Sequence, residues 1–181
     1  QNPKTAARGV AIAYDSRRQS SEFAKETALT LCASGVSAYL FDALRPVPIL
    51  SFAVRHLGCI AGVVITASHN PPEYNGYKVY GEDGAQLGPE AAQAVTDFIR
   101  ETAYRDALPM DEGEALQKGL LHIIGNKEVD DAYIARVRTL CVQPELLKKE
   151  GSSLSIVYTP LHGSGNVPVR RILHEVGITN V

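Results

Sequence analysis

The sequence predicts a three-layer α/β/α fold on a mixed, mostly parallel sheet of about four strands plus a hairpin. Two observations support this prediction. Short apolar segments with the length of buried strands alternate with segments in which apolar residues recur at helical spacing. The glycine-rich turn 81–84 then separates two further extended segments, as in a β-hairpin. A chain of 181 residues is long enough to bury the core of one such domain.

The first elements follow one another as strand, helix, strand, helix, strand. The predicted strands are 8–14, 36–41 and 60–66. The first helix begins near Ser20 or Ser21 and ends at Gly35, because hydroxyl side chains favour helix starts and glycine favours helix ends. The second helix follows Pro46 and ends at Gly58. This order predicts ligand-binding loops beyond the carboxyl ends of the strands.

The next segments predict a hairpin, a helix and a less regular region. The hairpin pairs 77–80 with 85–87, and the helix that starts at Pro89 has one apolar side that should face the core. Residues 104–119 lose this periodicity, which indicates a surface connection. Helical spacing returns over 130–140.

A second unit is predicted to begin after residue 150. The segment 148–153 resembles a linker, 154–158 is typical of a strand, and a glycine-rich loop and a helix follow. Residues 151–181 are too few to bury a core unaided, so we assign 1–150 to one domain and 151–181 to the start of another. The chain does not begin with Met, and its last residues resemble the start of a strand, so we expect a longer polypeptide.

Composition argues against several classes of function. The chain has 18 Lys and Arg against 20 Asp and Glu, so it lacks the basic field of non-specific nucleic-acid binding. No apolar run reaches the roughly 20 residues that span a bilayer. Cys32, Cys59 and Cys141 lack the even count and short spacings of a disulfide framework or zinc site. We therefore expect a cytoplasmic protein with neither a nucleic-acid nor a membrane partner.

The most informative segment is Thr66-Ala67-Ser68-His69-Asn70-Pro71. It follows the most apolar predicted strand, so Ser68 should lie at the ligand-binding edge of the sheet, where backbone amides can face an anion. Asn70 precedes a proline, which favours an extended and stiff backbone. A phosphate carrier needs such a loop, because phosphoryl transfer depends on positioning.

Three cationic or titratable side chains accompany Ser68. Lys78 lies ten residues further on, where it can act as a point charge or take a proton from a hydroxyl group. His69 adds a second titratable donor. Arg17 follows the first strand at the same edge, and its planar guanidinium matches phosphate oxygens.

The run 66–71, continued by Asn75-Gly76-Tyr77-Lys78, resembles the phosphoserine loop and lysine of the α-D-phosphohexomutases, the phosphoglucomutase and phosphomannomutase family. The resemblance also covers the first strand with its Asp-x-Arg turn, and residues 158–163 resemble the opening of the family's second domain. Within the family, these motifs most resemble those of the phosphopentomutase-like branch.

The resemblance implies an enzyme that moves phosphate between the 1- and 6-positions, or the 1- and 5-positions, of a sugar phosphate through a sugar bisphosphate. It implies that Ser68 carries the phosphate and that Lys78 is the general acid/base. It further implies phosphate contacts from Arg17, His69 and Asn70, Mg²⁺ on a phosphate oxygen of Ser68, and a sugar 1,6-bisphosphate as activator. The family's metal, sugar-reading and distal phosphate loops have no counterpart in the sequence, so we expect this chain alone to be inactive.

Other functions remain open at this point. The turn 163–165 lies between a predicted strand and helix, as in a dinucleotide-binding module, although Pro168 occupies the third glycine position. A serine hydrolase built on Ser68 lacks Gly-x-Ser-x-Gly, and we expect the adjacent His69 to point away from the serine. A phosphosugar- or nucleotide-binding module without catalysis fits the same loop. His162 either closes the site or caps the turn that follows it.

Overall fold

A computed structural model describes residues 3–125 and 127–181, and the chain forms two compact units, one ending at Ile124 and one from Gly125 to Val181. The elements of the larger unit are α1 (Pro3–Arg8), β1 (Val10–Tyr14), α2 (Ser20–Ala33), β2 (Ala38–Phe41), α3 (Val47–His56), β3 (Ala61–Ile65), β4 (Tyr77–Gly81), α4 (Pro89–Glu101), a 3₁₀ turn (Tyr104–Asp106), α5 (Glu112–Gln117) and β5 (Leu121–Ile124). The sequence pattern did not indicate α1, α5 or β5.

The described strands of this unit form one five-stranded sheet in the order β4-β3-β1-β2-β5. β1 is parallel to β2 and β3, β2 is parallel to β5, and β4 runs antiparallel beside β3. Gln86 forms a bridge to Tyr80, so the chain turns back after β4 as the hairpin prediction requires. Helices lie on both faces of the sheet, which confirms the predicted α/β/α class.

One face of the sheet packs against α2 and α5. The side chains that meet there are all buried: Val10, Ile12, Ala24, Ala28, Leu29, Cys32, Ala38, Leu40, Val63, Ile65, Ala115 and Leu121. Full burial of a large aliphatic side chain contributes about 1.5–3 kcal/mol, so this cluster stabilises the unit substantially. It also fixes the ends of β1 and β3, from which the candidate site is built.

The opposite face packs against α3. A Cβ at Gly62 would lie 2.6 Å from Val54 Cγ2 and 3.2 Å from Leu50 Cδ2, so α3 approaches β3 closely because this position has no side chain. The buried side of α3 consists of Ile49, Leu50, Ala53 and Val54. The sequence predicts one apolar side for this helix, formed by these four residues and Leu57, and the structure buries all of them except Leu57, which is half-buried.

The apolar side of α4 differs from the prediction. The residues that we expected to face the core are Ala91, Ala92, Val95, Phe98 and Ile99. None of them is buried within the described part of the chain, and Phe98 is 72% exposed. The prediction is wrong because helical periodicity shows which residues share a side, not whether a partner lies within reach. A groove of about 590 Å³ separates Val95 and Ile99 from Val63 and Val79 of the sheet.

The smaller unit is mainly helical. Its elements are α6 (Asp130–Arg138), α7 (Pro144–Glu150), a 3₁₀ turn (Gly151–Ser153) and α8 (Asn166–Glu175). Arg171 of α8 binds Asp131 of α6 at 2.7 Å, and also Glu175 one turn along its own helix at 2.9 Å.

Two predictions for this unit are wrong. The segment 148–153 is helical and not a linker, and its Gly151 packs so closely that a Cβ would lie 2.6 Å from the Gly177 carbonyl oxygen. The expected strand 154–158 is reduced to one bridge between Ser155 and Asn180. The predicted domain boundary after residue 150 stays a prediction.

None of the helices in the described ranges combines the length and the apolarity needed to cross a membrane.

We predict that thiol reagents distinguish the three cysteines. Cys32 and Cys59 are fully buried, and burial raises the pKa of the Cys59 thiol to about 11, whereas Cys141 is partly exposed. Because the thiolate is the reactive form, iodoacetamide at neutral pH should modify Cys141 at least about tenfold faster than either of the others. Time-resolved peptide mass spectrometry measures this, with the urea-unfolded chain as control. Equal rates for Cys59 and Cys141 in the native chain would contradict the burial of Cys59.

Candidate functional site

Ser68 is the first exposed residue after β3. Thr66 and Ala67 are still buried, and the Ser68 backbone N–H donates to Thr66 Oγ1 at 3.0 Å. Ser68 has φ of 57°, in the left-handed region that residues other than glycine seldom occupy. Such a conformation persists only where surrounding contacts hold it, and it turns the serine away from the strand direction.

The contacts that hold the loop come from Arg17, whose side chain is only 13% exposed. Its Nη1 donates to the carbonyl oxygens of Pro71 at 2.8 Å and Tyr74 at 2.9 Å. Its Nη2 donates to those of Ser68 at 3.0 Å and Asn70 at 2.5 Å. A guanidinium has four N–H bonds on its two Nη atoms, so this set accounts for all of them.

Arg17 is itself held by the acidic residue that precedes it in the turn after β1. Asp15 Oδ1 accepts a hydrogen bond from the Arg17 backbone N–H at 3.0 Å, and Asp15 Oδ2 lies 3.6 Å from Arg17 Nε. The Asp15 backbone N–H donates to the Ile65 carbonyl at 3.2 Å. The turn after β1 is therefore fastened to the end of β3.

The His69 side chain does not point away from the serine as expected. Its Nδ1 lies 3.4 Å from Ser68 Oγ, a long contact in which the donor depends on the tautomer. That expectation is wrong because the left-handed turn at Ser68 brings the two neighbouring side chains to the same side. In the described part of the chain no carboxylate binds His69, so the third group of a hydrolase triad is missing there.

Lys78 enters the region from the neighbouring strand. It is the second residue of β4, where it lies opposite Val64, and the Thr66 N–H donates to the Gly76 carbonyl at 2.9 Å just before that strand. Its side chain is half-buried, and within residues 3–125 and 127–181 it makes no hydrogen bond or ion pair. Lys78 thus offers an amino group without an acidic partner in the described residues, beside the strand that leads to Ser68.

The structure brings Arg17, Ser68, His69 and Asn70 together in one loop cluster, with Lys78 on the adjoining strand. Contact of Arg17, His69 and Asn70 with a phosphate stays a prediction. The motif did not reveal that Arg17 binds four carbonyl groups, since those partners lie 51 to 57 residues away in sequence.

Two tyrosines near the site have shifted acidity. Burial raises the pKa of Tyr14 at the end of β1, and the negative charge of Asp42 adds to this effect. Burial of its hydroxyl also raises the pKa of Tyr77, partly offset by a hydrogen bond with Thr27, although the residue as a whole is 53% exposed. Both phenols therefore stay neutral near pH 7, and neither adds negative charge to the site.

The described residues do not form a complete metal site. No group of three His, Cys, Asp or Glu side chains among them could hold a metal ion. Asp15, in the turn that holds the loop, is already engaged by Arg17. A phosphate on Ser68 would add one oxygen ligand, whereas Mg²⁺ takes six in near-octahedral geometry, so a magnesium site needs further groups.

Comparison with known proteins finds a family match that includes the Ser68 loop and Lys78. The family profile described as phosphoglucomutase/phosphomannomutase, alpha/beta/alpha domain I, matches residues 1–106. A phosphoglucomutase of Staphylococcus epidermidis is 41% identical over 161 residues, which cover 88% of this chain and 28% of that protein. A phosphoglucomutase of Staphylococcus haemolyticus is 38% identical over 174 residues, covering 95% of this chain and 30% of the relative.

A similar solved structure comes from a Thermus thermophilus protein assigned as a phosphomannomutase. It has a TM-score of 0.76 and 27% identity, and the match covers 93% of this chain and 35% of that one. The chain therefore spans about a third of the length of the proteins that it matches.

We predict that Gly76→Ala disturbs the loop and destabilises the fold. A Cβ at Gly76 would lie 2.6 Å from the Thr66 carbonyl oxygen, so the start of β4 must move away from β3, at a cost of about 1–3 kcal/mol. Urea unfolding followed by circular dichroism measures the change. Gly88→Ala is the control because nothing lies within 4 Å of the added Cβ, and loss of its helix-capping glycine costs at most about 1 kcal/mol. Equal stability of the two variants would contradict the close approach.

Proposed function

The chain belongs to the phosphoglucomutase/phosphomannomutase family, and we propose that it supplies the phosphate-carrying serine of a phosphosugar mutase. The reaction is a reversible phosphoryl transfer between the 1- and 6-positions, or the 1- and 5-positions, of a sugar phosphate through a sugar bisphosphate. Because the chain spans about a third of its relatives' length, the activity belongs to a longer polypeptide, and this chain alone is inactive.

The observation that carries the proposal is the conformation of Ser68. Its hydroxyl is exposed at the sheet edge, and its backbone is held at φ of 57° in a loop whose carbonyl groups are bound by Arg17. Phosphoryl transfer relies on positioning and electrostatics more than on covalent chemistry. A loop held from within by a buried guanidinium provides that positioning before any substrate binds.

In the proposed step, a sugar hydroxyl oxygen attacks the phosphorus carried by Ser68, and the bond from phosphorus to Ser68 Oγ breaks. Lys78, in its amine form, takes the proton of the attacking hydroxyl, and that proton balances the charge on the departing Ser68 Oγ. In the second half-reaction, Ser68 Oγ attacks the phosphorus of the other phosphate of the bisphosphate, the bond from that phosphorus to the sugar oxygen breaks, and the Lys78 ammonium returns its proton to that sugar oxygen. Lys78 has no ion-pair partner among the described residues, and this supports its role, because a neighbouring carboxylate would favour the ammonium form over the amine that accepts the proton.

His69 and Asn70 are proposed phosphate contacts in the same loop. His69 Nδ1 already lies 3.4 Å from Ser68 Oγ, within reach of an oxygen attached there. Arg17 is proposed as a third contact, but a direct bond from an Nη atom to phosphate requires that a loop carbonyl give up its donor. Much of the Arg17 contribution therefore comes from holding the loop.

Mg²⁺ on the phosphate oxygen of Ser68, a sugar 1,6-bisphosphate activator and a cytoplasmic location complete the proposal. A divalent ion, when bound, neutralises phosphate charge during transfer. The described residues would give it one phosphate oxygen, so its other ligands belong to the longer polypeptide.

We predict that the complete polypeptide gains one phosphate on Ser68 when incubated with glucose 1,6-bisphosphate, and loses it on addition of glucose 1-phosphate. Intact-mass measurement and peptide mapping follow the change. Ser68→Ala should take up no phosphate and show no turnover, while Ser21→Ala, an exposed serine that bonds only to Glu22, should behave as wild type. Binding of the bisphosphate without phosphate on Ser68 would instead support a non-catalytic binding module.

A second prediction separates the roles of carrier and proton acceptor. Lys78→Ala should still accept phosphate slowly, but its transfer rate should fall by about 10²–10⁴, the usual contribution of a general acid/base. Quenched-flow assays with labelled bisphosphate measure the rate. Lys118→Ala is the matched control, because Lys118 is an exposed lysine at the end of α5, where it pairs with Glu114 of that helix. A wild-type rate in Lys78→Ala would remove Lys78 from the mechanism.

A further inference from the structure

We infer that Ser20 is a positioning residue, and that its buried hydroxyl closes a ring of hydrogen bonds that holds the Ser68 loop in its transfer geometry. Its catalytic consequence rests on the proposed function. Ser20 is fully buried, and its Oγ donates to Asp15 Oδ1 at 2.8 Å and accepts from Asn75 Nδ2 at 2.9 Å. One hydroxyl thus joins the turn after β1 to the far end of the Ser68 loop.

One arm of the ring runs from Ser20 through Asp15 to Arg17. The Asp15 carboxylate receives the Ser20 hydroxyl and the Arg17 backbone N–H on the same oxygen, and its other oxygen lies 3.6 Å from Arg17 Nε. This arrangement orients the guanidinium, whose Nη atoms then bind the carbonyls of Ser68 and Asn70. The first half of the loop is fastened in this way.

The other arm runs from Ser20 through Asn75 to the start of β4. Asn75 Nδ2 donates to Ser20 Oγ and also lies 3.2 Å from the Arg18 carbonyl, while Asn75 Oδ1 accepts from the Gly76 N–H at 2.9 Å. The end of the loop is fastened by this amide. The ring is then closed through the loop itself, because Arg17 binds the Tyr74 carbonyl at 2.9 Å.

The Ser20 hydroxyl is not a cap of its own helix. Gln19 is the capping residue of α2, it makes no side-chain capping bond, and its φ is 61°. Gln19 and Ser68 are the two residues other than glycine with positive φ in the described part of the chain, and Gln19 directly precedes Ser20. The hydroxyl instead binds Asp15 in the turn after β1 and Asn75 at the end of the Ser68 loop.

Removal of the hydroxyl takes one hydrogen-bond partner from Asp15 and one from Asn75, which breaks the connection between the two loops. Arg17 then loses part of what orients it, and Ser68 can relax from its sparsely populated conformation. Relaxation moves Ser68 Oγ away from the line of transfer, so the transfer step slows more than substrate binding weakens.

Hydrogen exchange on the full 181-residue chain tests the structural half of the inference. Ser20→Ala should speed exchange of the loop amides of Thr66, Asn70 and Tyr74 by at least about tenfold while the α3 amides keep their wild-type rates. Ser21→Ala is the matched control and should change neither set. Uniform acceleration across the chain, or unchanged loop rates, would overturn the inference, because Ser20 would then only stabilise the fold or do nothing for the loop.

Kinetics of the complete polypeptide test the catalytic half. Ser20→Ala should lower kcat by at least about tenfold with KM within about threefold, and Ser20→Thr, which keeps the hydroxyl, should recover part of the loss. An effect confined to KM, or no recovery in Ser20→Thr despite wild-type loop exchange, would overturn this half. If the wild-type protein takes no phosphate from the bisphosphate, the proposed function fails, and the exchange result alone decides the role of Ser20.

Asn75→Ala provides a second route in case Ser20→Ala does not fold. It breaks the same ring from a half-buried position, so it should speed exchange of the same loop amides. The double variant Ser20→Ala/Asn75→Ala should be no worse than the more affected single variant, since both remove one closed ring. Additive effects of the two substitutions on loop exchange would show separate roles and would overturn the ring.

Discussion

The guanidinium of Arg17 on the backbone of the Ser68 loop is the interaction on which the site depends. A loop that leaves a sheet to present a hydroxyl cannot satisfy its own carbonyl groups through strand or helix bonds. Arg17 satisfies four of them from a mostly buried position. A lysine has three donors on one atom and no planar fork, so it could not hold four carbonyls at fixed angles.

The parallel register of β1 and β3 makes this interaction possible. Tyr14, the last residue of β1, lies opposite Ile65, the last residue of β3. Arg17 and Ser68 each follow three residues later, so both reach the same edge of the sheet. β4 then runs antiparallel beside β3 and returns Lys78 to that edge. β3 thus leads into the Ser68 loop, β1 leads to the arginine that holds it, and β4 carries Lys78.

The charges of the site follow from the same arrangement. The positive charge of Arg17 is turned toward backbone carbonyls and lies beside Asp15, which leaves little of it for a ligand. Lys78 has no acidic partner in the described residues, and Tyr14 and Tyr77 stay neutral near pH 7 because burial raises the pKa of each. A doubly charged phosphate on Ser68 would be balanced only in part by these groups. In the proposed longer polypeptide, a bound magnesium ion would balance the remaining negative charge of the phosphate.

The sequence by itself determined the α/β class, most strands and the spacing of Ser68 and Lys78, because periodicity and contiguous motifs are local properties. The carbonyl partners of Arg17 lie more than 50 residues from it in sequence, and Asn75 lies more than 50 residues from Ser20. Only the folded register of β1 and β3 therefore decided these contacts. Tertiary packing likewise decided that 148–153 is helical and that the apolar side of α4 lies open. A local sequence pattern encodes neither the contacts between segments that are remote in the chain nor the absence of such a contact.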